Sequence, residues 1–294
     1  MLHKQKATLL ITFLAGLVAA MAIIWQLSLV KNALFLLAVW IVSLIFGTDL
    51  LYLLLKTFNP PWAQNVLKKL VLWQSYRGPF IGPLMLGFLV KSEDLPLHTT
   101  YFSVVPFTAR QVLYIVIILY LPSLIRRLNK SLSLFAGFLG LLLISSLFFV
   151  DWGMLLFSPW HSTMFPLLMS ALSMTAVIGG VLWQRGHKAY QRHEIYDVGR
   201  LGITALIFTL YLHYSQFLIS WQARLPIEME WFRERSVGFL GVLAICLFLA
   251  KYVFPLTILF LRNRLEKWRP LRMAGVLIFL LFPFELFWIF SQIS

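Results

Sequence analysis

The chain has 294 residues, of which 60% are hydrophobic and only 12% are charged. A soluble domain of this length carries about twice that share of charged residues, so the composition excludes a soluble globular protein and predicts a polytopic membrane protein. The formal charge of +14 does not indicate a nucleic-acid partner, because basic residues accumulate in the cytoplasmic loops of membrane proteins.

Apolar stretches of about 18 residues or more, long enough to cross a bilayer, follow one another along the chain. They predict an all-α, polytopic transmembrane helical bundle of about nine spans, with a range of eight to ten, in a single integral membrane domain over 1–294. The basic N-terminus and the long apolar run after it predict an uncleaved first helix. The predicted spans are 7–30, 33–57, 70–90, 105–125, 131–150, 162–184, 199–221, 236–262 and 271–291.

The third predicted span is the weakest of the nine. Arg77, Gly78, Pro79, Gly82 and Pro83 interrupt its apolar pattern, and glycine and proline weaken or break helices. The pattern therefore allows a broken or re-entrant helix, which survives at membrane depth only where protein or a wet cavity covers its backbone.

The distribution of lysine and arginine predicts the orientation in the membrane. The N-terminus and the loops after spans 2, 4, 6 and 8, counted with the halves of the spans that border them but without Lys251, carry 18 of these residues, whereas the loops after spans 1, 3, 5 and 7, counted in the same way, carry 6. Because lysine and arginine accumulate on the cytoplasmic side, we expect a cytoplasmic N-terminus. The loop between the fifth and sixth spans then faces outward.

The sequence contains no motif for nucleotide hydrolysis or metal-dependent catalysis. There is no glycine-rich phosphate loop, no H-x-x-x-H or C-x-x-C pattern and no G-x-S-x-G elbow. The single cysteine, Cys246, excludes disulfides and cysteine-ligated clusters within this chain. We therefore expect no metal site, and we expect any activity to lie in the bilayer or at its edges.

A charged side chain within a span is costly and is a functional candidate by default; five such residues are taken as candidates. They are Asp49, Arg110, His213, Lys251 and Glu285. At about 1.5 Å per residue, Asp49 and Lys251 have similar depths in the inner half, and His213 and Glu285 have similar depths in the outer half. We therefore expect an Asp49–Lys251 ion pair and a His213–Glu285 contact. A fixed tie between two helices is the alternative interpretation of the first pair.

The sequence around Glu285 is almost wholly apolar and aromatic over 281–288. Burial in such surroundings favours the neutral form of a carboxyl group. We therefore expect a protonated Glu285 that exchanges its proton with the histidine at the same depth. A carboxyl group of this kind is suited to proton transfer near neutral pH.

The segment DWGMLLFSPWHST at 151–163 joins two predicted spans at the outer face. Its two tryptophans, Trp152 and Trp160, are typical of the aromatic belt at a membrane interface. Asp151 and His161 can accept protons, and Arg110 is predicted near the same surface. With the buried residues they predict a proton pathway formed by Glu285, His213, Asp49, Lys251, Asp151 and His161.

Two stretches resemble signatures of NrfD-like membrane subunits. "DWGMLLFSPWHSTMF" is similar to a signature of the second NrfD-like subunit of alternative complex III, a quinol:cytochrome c oxidoreductase. The residues that carry this similarity are Asp151, Trp152, Met154, Trp160, Ser162 and Thr163. "YSQFLISWQARLPIEMEWFRER" is similar to a second signature through Tyr214, Ser215, Gln216, Trp221, Pro226, Glu228 and Arg235. Looser similarity at 74–86 and 106–110 extends the resemblance along most of the chain.

The resemblance implies a haem-free, NrfD-like subunit of a quinol-oxidising respiratory complex in a bacterial inner membrane. It implies that membrane lipid, a second NrfD-like subunit, an iron–sulfur scaffold subunit and multihaem cytochrome c subunits are the partners. The haems and iron–sulfur clusters would belong to those partners, so this chain alone would bind no cofactor other than quinone or quinol. The candidates for quinone binding or for the outer mouth of the proton pathway are Trp152, Trp160, Arg110, Tyr214 and Gln216.

Two other functions are compatible with the sequence. The first is a proton-coupled transporter or flippase, with Asp49 and Lys251 as its coupling pair and the interrupted third span as its gate. The second is a structural membrane anchor that docks a periplasmic partner through the loop at 222–236. Neither function requires partner subunits that carry redox centres. The proteins that purify with this chain therefore distinguish both functions from that of a respiratory-complex subunit.

Overall fold

The computed structural model describes residues 28–77, 104–154, 160, 162–184, 192–223, 226–265 and 268–291. These residues form helices and connecting turns, and there is no strand among them. The elements are α1 (Ser28–Phe58), a 3₁₀ turn (Pro61–Ala63), α2 (Gln64–Ser75), α3 (Val104–Arg127), α4 (Ser131–Phe149), a π-helical turn (Val150–Met154), α5 (Phe165–Trp183), α6 (Arg192–Gln222), α7 (Pro226–Ser236), α8 (Gly238–Leu247), a second π-helical turn (Phe248–Val253), α9 (Phe254–Leu265), α10 (Trp268–Leu280) and α11 (Phe282–Phe290).

Seven stretches of helix in the described part of the chain are long and apolar enough to cross a membrane. They correspond to seven of the nine predicted spans, so the described part of the chain is all-helical and has the helices of a multi-pass membrane protein. The first predicted span and most of the third lie outside the described residues, and the count of nine stays a prediction. The seven stretches are Lys31–Phe58, Pro106–Arg127, Ser131–Met154, Phe165–Trp183, Tyr196–Gln222, Gly238–Leu261 and Arg269–Phe290.

Contacts between helix ends show that α1, α3 and α5 end on the same side of the bundle. Lys56, near the end of α1, donates to the carbonyl oxygens of Ile125 and Arg126 near the end of α3, at 3.2 and 3.1 Å. Lys69 donates to the carbonyl of Gln184, just after α5. We call the end of the bundle formed by these residues the basic end.

Aromatic contacts gather the opposite helix ends. Phe35 near the start of α1 packs on Trp152 after α4 and on Phe290 at the end of α11. Phe165 at the start of α5 also packs on Phe290. We call this end, which contains Asp151, the Asp151 end.

The helix α5 forms the centre of the bundle, and nearly all of its residues are buried. Small residues allow its neighbours to approach closely, as is typical of helix packing in membranes. A Cβ on Gly47 of α1 would overlap the Ser173 carbonyl of α5, and the backbones of α5 and α10 meet at Gly179 and Gly275. The helices α3, α4, α6 and α8 lie further out and expose many large apolar side chains.

Prolines explain two irregular places in these helices. A proline has no N–H for the carbonyl four residues earlier and clashes with that carbonyl. Pro255 lies four residues after Lys251, and the π-helical turn of 248–253 precedes it. Pro122 lies four residues after Ile118 in α3, which leaves the Ile118 carbonyl free to accept another hydrogen bond. Single π-helical turns occur often at functional sites.

Candidate functional site

The carboxylate of Glu285 on α11 is the centre of a buried network of four side chains. Lys251 donates from the π-helical turn to Glu285 Oε2. Tyr252, the next residue of that turn, donates its hydroxyl to Oε1 at 2.6 Å. His213 of α6 places Nε2 3.1 Å from the same oxygen. We call these four residues the Glu285 network.

The network contains both a predicted contact and a corrected one. His213 and Glu285 meet, as their similar depths predict. The predicted pair of Asp49 with Lys251 is wrong, because Lys251 is bound to Glu285 and Asp49 to Arg77. A depth estimate gives the height of a residue in the membrane but not the direction in which its side chain faces, so it does not identify the partner helix. The expected uncharged setting for Glu285 is also wrong, since the amino group of the buried Lys251 lies against its carboxyl group.

One member of the Glu285 network reaches the surface of the bundle. The side chain of His213 is 24% exposed, whereas those of Glu285 and Lys251 are 4% and 0% exposed. Tyr252 is buried too. His213 is therefore the group through which a proton can pass between the surface of the bundle and Glu285.

A polar stripe on α6 connects the network to the Asp151 end. Thr209, His213, Gln216 and Ser220 are spaced by four, three and four residues, so they share one face of the helix. Thr209 exchanges a hydrogen bond with Thr175 of α5 at 2.9 Å. From His213 to Ser220 the stripe rises by about 10 Å.

The stripe ends at a cavity of about 610 Å³ in the Asp151 end. Gln216 lines the cavity, is buried, and has a side-chain N–H₂ with no acceptor among the described residues. Glu228 of α7 lines it as well and accepts a hydrogen bond from Ser220 at 2.7 Å. Ser162 and Thr163 form part of the opposite wall. The cavity therefore offers polar groups to a proton acceptor or to a small polar head group.

Asp49 belongs to a second buried cluster nearer the basic end. Arg77 binds it through two nitrogens, with Nη1–Oδ2 and Nη2–Oδ1 distances of 3.0 and 2.7 Å. Gln74 donates to Oδ1 at 2.9 Å. Arg77 Nη1 also donates to the Ile118 carbonyl that Pro122 leaves free. This bidentate pair ties α1, the end of α2 and α3 together.

Asp151 forms a third cluster and does not lie at the surface. Its side chain is fully buried, and Arg110 donates to both of its oxygens, from Nε to Oδ2 at 2.8 Å and from Nη2 to Oδ1 at 3.2 Å. Tyr114, one turn further along α3, donates its hydroxyl to Oδ2 at 2.9 Å. The expected exposed proton acceptor is therefore wrong for Asp151, because these donors and the surrounding protein enclose it. His161 lies outside the described residues.

Three phenylalanines separate the Asp49 and Asp151 clusters. Phe46 of α1 packs on Phe148 and Phe149 of α4, and Phe148 also packs edge-on against Tyr114. These rings are buried and provide no group that can carry a proton. The six predicted pathway residues therefore do not form one ladder: five lie in three clusters, and His161 lies outside the described part of the chain.

Trp152 and Trp160 are buried in protein and do not form a lipid-facing belt. Trp152 donates its indole N–H to Gln111 at 2.7 Å. Trp160 stacks on Trp231 of α7, with ring centroids 4.8 Å apart. Their sequence position between two spans predicts a place at the membrane–water interface. In the fold, however, residues of α3 and α7 pack against them and bury them.

The region predicted as a loop at 222–236 contains helix α7 and closes the Asp151 end. Arg235 of α7 is buried and donates to the carbonyl oxygens of Trp288, Ile289 and Ser291 at the end of α11. Burial lowers the pKa of its guanidinium to about 10, and the neighbouring Glu234 raises it. The group is therefore still protonated at neutral pH, where it complements the carbonyl end of the helix dipole. Tyr214 is exposed and does not line the cavity.

Four residues of these clusters are not among the candidates that the sequence indicates. They are Gln74, Arg77, Tyr114 and Tyr252. Each tyrosine has a signal in the sequence, since Tyr114 lies four residues after a charged candidate and Tyr252 directly follows another. In the sequence Arg77 indicates only an interruption of the third span, although a buried aspartate requires a cation.

Among the described residues no group of three or more histidine, cysteine, aspartate or glutamate side chains could hold a metal ion. Comparisons with known proteins assign no family: no protein-family model matches the chain, and no curated protein has significant sequence similarity to it.

Proposed function

We propose that this chain is an integral membrane subunit of a quinol-oxidising respiratory complex resembling alternative complex III, and that it provides a proton pathway. The observation that carries the proposal is the Glu285 network, in which an ionisable carboxylate at membrane depth contacts a histidine, a lysine and a tyrosine. Such a group is costly in a bilayer and marks a proton or ion pathway by default.

The chemistry of the pathway follows from the order of its groups. A proton passes between Glu285 and His213 over a 3.1 Å contact, with Lys251 balancing the carboxylate charge while it is ionised. The stripe through Gln216 and Ser220 then leads to the cavity in the Asp151 end. If that end faces outward, as the basic residues predict, the cavity is the outer mouth.

The same cavity is the proposed binding site for quinol. Of the predicted candidates, Gln216 offers an N–H₂ group without an acceptor among the described residues, whereas Arg110, Trp152 and Trp160 make internal contacts. We propose Gln216 as the residue of this set that contacts quinol, with its side-chain N–H₂ donating to a quinol oxygen. Haems and iron–sulfur clusters would be carried by the partner subunits, in a bacterial inner membrane.

The transporter alternative depends on a coupling pair of Asp49 with Lys251, and this pair is not formed in the structure. Asp49 and Lys251 lie in different clusters, and the bidentate Asp49–Arg77 pair has the geometry of a fixed tie between helices. The anchor alternative, with α7 as its docking element, is separated from the proposal by the first experiment below.

The first test is purification of the tagged chain from its native membranes. We expect a second NrfD-like subunit, an iron–sulfur protein and multihaem cytochromes to co-purify, with haem and iron in fixed ratio to this chain and with quinol:cytochrome c oxidoreductase activity. Recovery without haem or iron would contradict the proposal and favour a transporter. Recovery with a single periplasmic protein would favour the anchor.

The second test separates proton transfer from assembly. Glu285→Gln alone leaves a buried lysine without its partner, so we expect less assembled complex. The double variant Glu285→Gln with Lys251→Met removes both charges; we expect it to assemble but to release fewer protons per quinol in liposomes. Glu230→Gln, on the exposed face of α7, is the matched control and should behave as wild type. Full proton release by the double variant would make the network structural.

A further inference from the structure

A second cavity lies near the Asp49 cluster, on the basic-end side of the bundle. Its volume is about 300 Å³, at the lower end of the range for small-molecule sites. Trp40, Trp73, Tyr76 and Phe279 supply most of its aromatic wall. Gly180 of α5 leaves room for two of these rings, since a Cβ there would lie 3.0 Å from Trp73 and 3.1 Å from Phe279. We call it the Trp40 cavity.

Two buried N–H groups in the wall of the Trp40 cavity have no acceptor among the described residues. Arg77 lines the cavity and uses Nη1 and Nη2 for Asp49 and Ile118, but its Nε has no partner in the part of the chain that the structure describes. Within the same part of the chain, the indole N–H of Trp40 has none either. Buried donors without acceptors are costly, so the wall favours a molecule that brings acceptor oxygens.

The charges around the cavity favour a neutral molecule. The guanidinium of Arg77 is bound in bidentate fashion by the Asp49 carboxylate, so the pair is neutral in sum and offers no net positive charge to a phosphate. The aromatic walls suit a planar ring, which stacks on or packs edge-to-face against such side chains. A flat, neutral head with carbonyl oxygens on a lipid-soluble tail has these properties.

We propose that the Trp40 cavity binds the head of a membrane quinone, with its carbonyl oxygens accepting from Trp40 and Arg77. This site is separate from the cavity that Gln216 lines, and lies near the other end of the bundle. The choice of quinone rests on the proposed function, because a quinol-oxidising complex works on that substrate class. The cavity, its aromatic wall and its two free donors do not depend on that function.

The test is photolabelling of the full-length chain in phosphatidylcholine nanodiscs with a short-chain azidobenzoquinone, followed by peptide mapping. We expect labelled peptides around Trp40 and Trp73, with labelling abolished by excess decylubiquinone. Trp40→Phe keeps the ring but removes one donor, so the concentration for half-maximal labelling should rise about five-fold. Leu44→Trp adds bulk to a lining residue and should suppress labelling by at least about five-fold.

Exposed positions provide matched controls. Trp221→Phe and Leu143→Trp make the same replacements on surfaces away from the cavity, and both should label as wild type. Labelling confined to other peptides, equal behaviour of Trp40→Phe and Trp221→Phe, or displacement by phosphatidylglycerol but not by decylubiquinone would each overturn the proposal. Labelling is measured on the isolated chain, so it can succeed when no redox subunit co-purifies, and it can fail when all of them do.

Discussion

At the scale of single residues, the described part of the chain holds each of its three buried carboxylates against a cation from another segment. Removing one member of a buried ion pair typically costs about 3–5 kcal/mol, because the remaining charge is left in an apolar setting. Removing both members costs less. The pairs are Asp49 with Arg77, Asp151 with Arg110, and Glu285 with Lys251.

The Asp49 pair can be tested by a double-mutant cycle. Asp49→Asn leaves Arg77 without its carboxylate and should destabilise the protein by about 3–5 kcal/mol. Adding Arg77→Met removes the stranded charge, so the double variant should be more stable than Asp49→Asn alone. Thermal unfolding in detergent, followed by size-exclusion fluorescence, measures both.

Lys251 supplies the control for this cycle. In the variant that combines Asp49→Asn with Lys251→Met, the loss of stability should be about the sum of the losses in the two single variants. The two residues belong to different clusters, and the stability effects of distant sites are additive. Rescue by Lys251→Met in place of Arg77→Met would contradict the pairing observed in the structure.

The Asp151 cluster depends on a tyrosine hydroxyl. Tyr114→Phe removes the donor to Asp151 Oδ2 and should cost about 1–3 kcal/mol, because a hydrogen bond to a buried charge is lost. Tyr120→Phe, on an exposed part of the same helix, is the control and should leave the unfolding temperature unchanged. Equal unfolding temperatures for the two variants would show that the hydroxyl does not stabilise Asp151.

At the scale of helices, both described π-helical turns coincide with ion-pair clusters. The first turn contains Asp151, and the second contains Lys251 and Tyr252. A π-helical turn adds a residue to the helix and changes the direction of the side chains beside it. The second turn thereby presents two neighbouring residues to the same Glu285 carboxylate, which two successive residues of a regular α-helix do not do.

The close packing of α1 on α5 gives a test at this scale. Gly47→Ala places a methyl group against the Ser173 carbonyl, so the helices must separate or bend. We expect a loss of about 1–3 kcal/mol, in the range for overpacked cores. Gly140→Ala, where a Cβ meets nothing within 4 Å, should be neutral or slightly stabilising. A neutral Gly47→Ala in the same unfolding assay would show that this contact is not tight.

At the scale of the whole molecule, the alternation of basic charge predicts the direction of every span. Reporter fusions after Lys130 and Arg269 should be cytoplasmic, whereas fusions after Ser158 and Glu230 should be external. Alkaline phosphatase activity marks the external positions, and green fluorescent protein marks the cytoplasmic ones. A cytoplasmic result after Ser158 would reverse the orientation, and with it the assignment of the Gln216-lined cavity as an outer mouth.

The helical membrane architecture is predictable from the sequence because it depends on local quantities. Span length, hydropathy and the scarcity of charge within spans are set by the thickness and low polarity of the bilayer. Seven predicted spans therefore coincide with described helices to within a few residues.

The candidate site could be predicted only in part. The sequence alone determined which residues are ionisable at membrane depth, and its depth estimate was sufficient to bring His213 to Glu285. Only the tertiary structure decided the partners, giving Lys251 to Glu285 and Arg77 to Asp49. The physical reason is that depth follows from position along a single helix, whereas pairing depends on which faces of separate helices turn towards each other, and that is set by the packing of small residues, prolines and π-helical turns across the whole bundle.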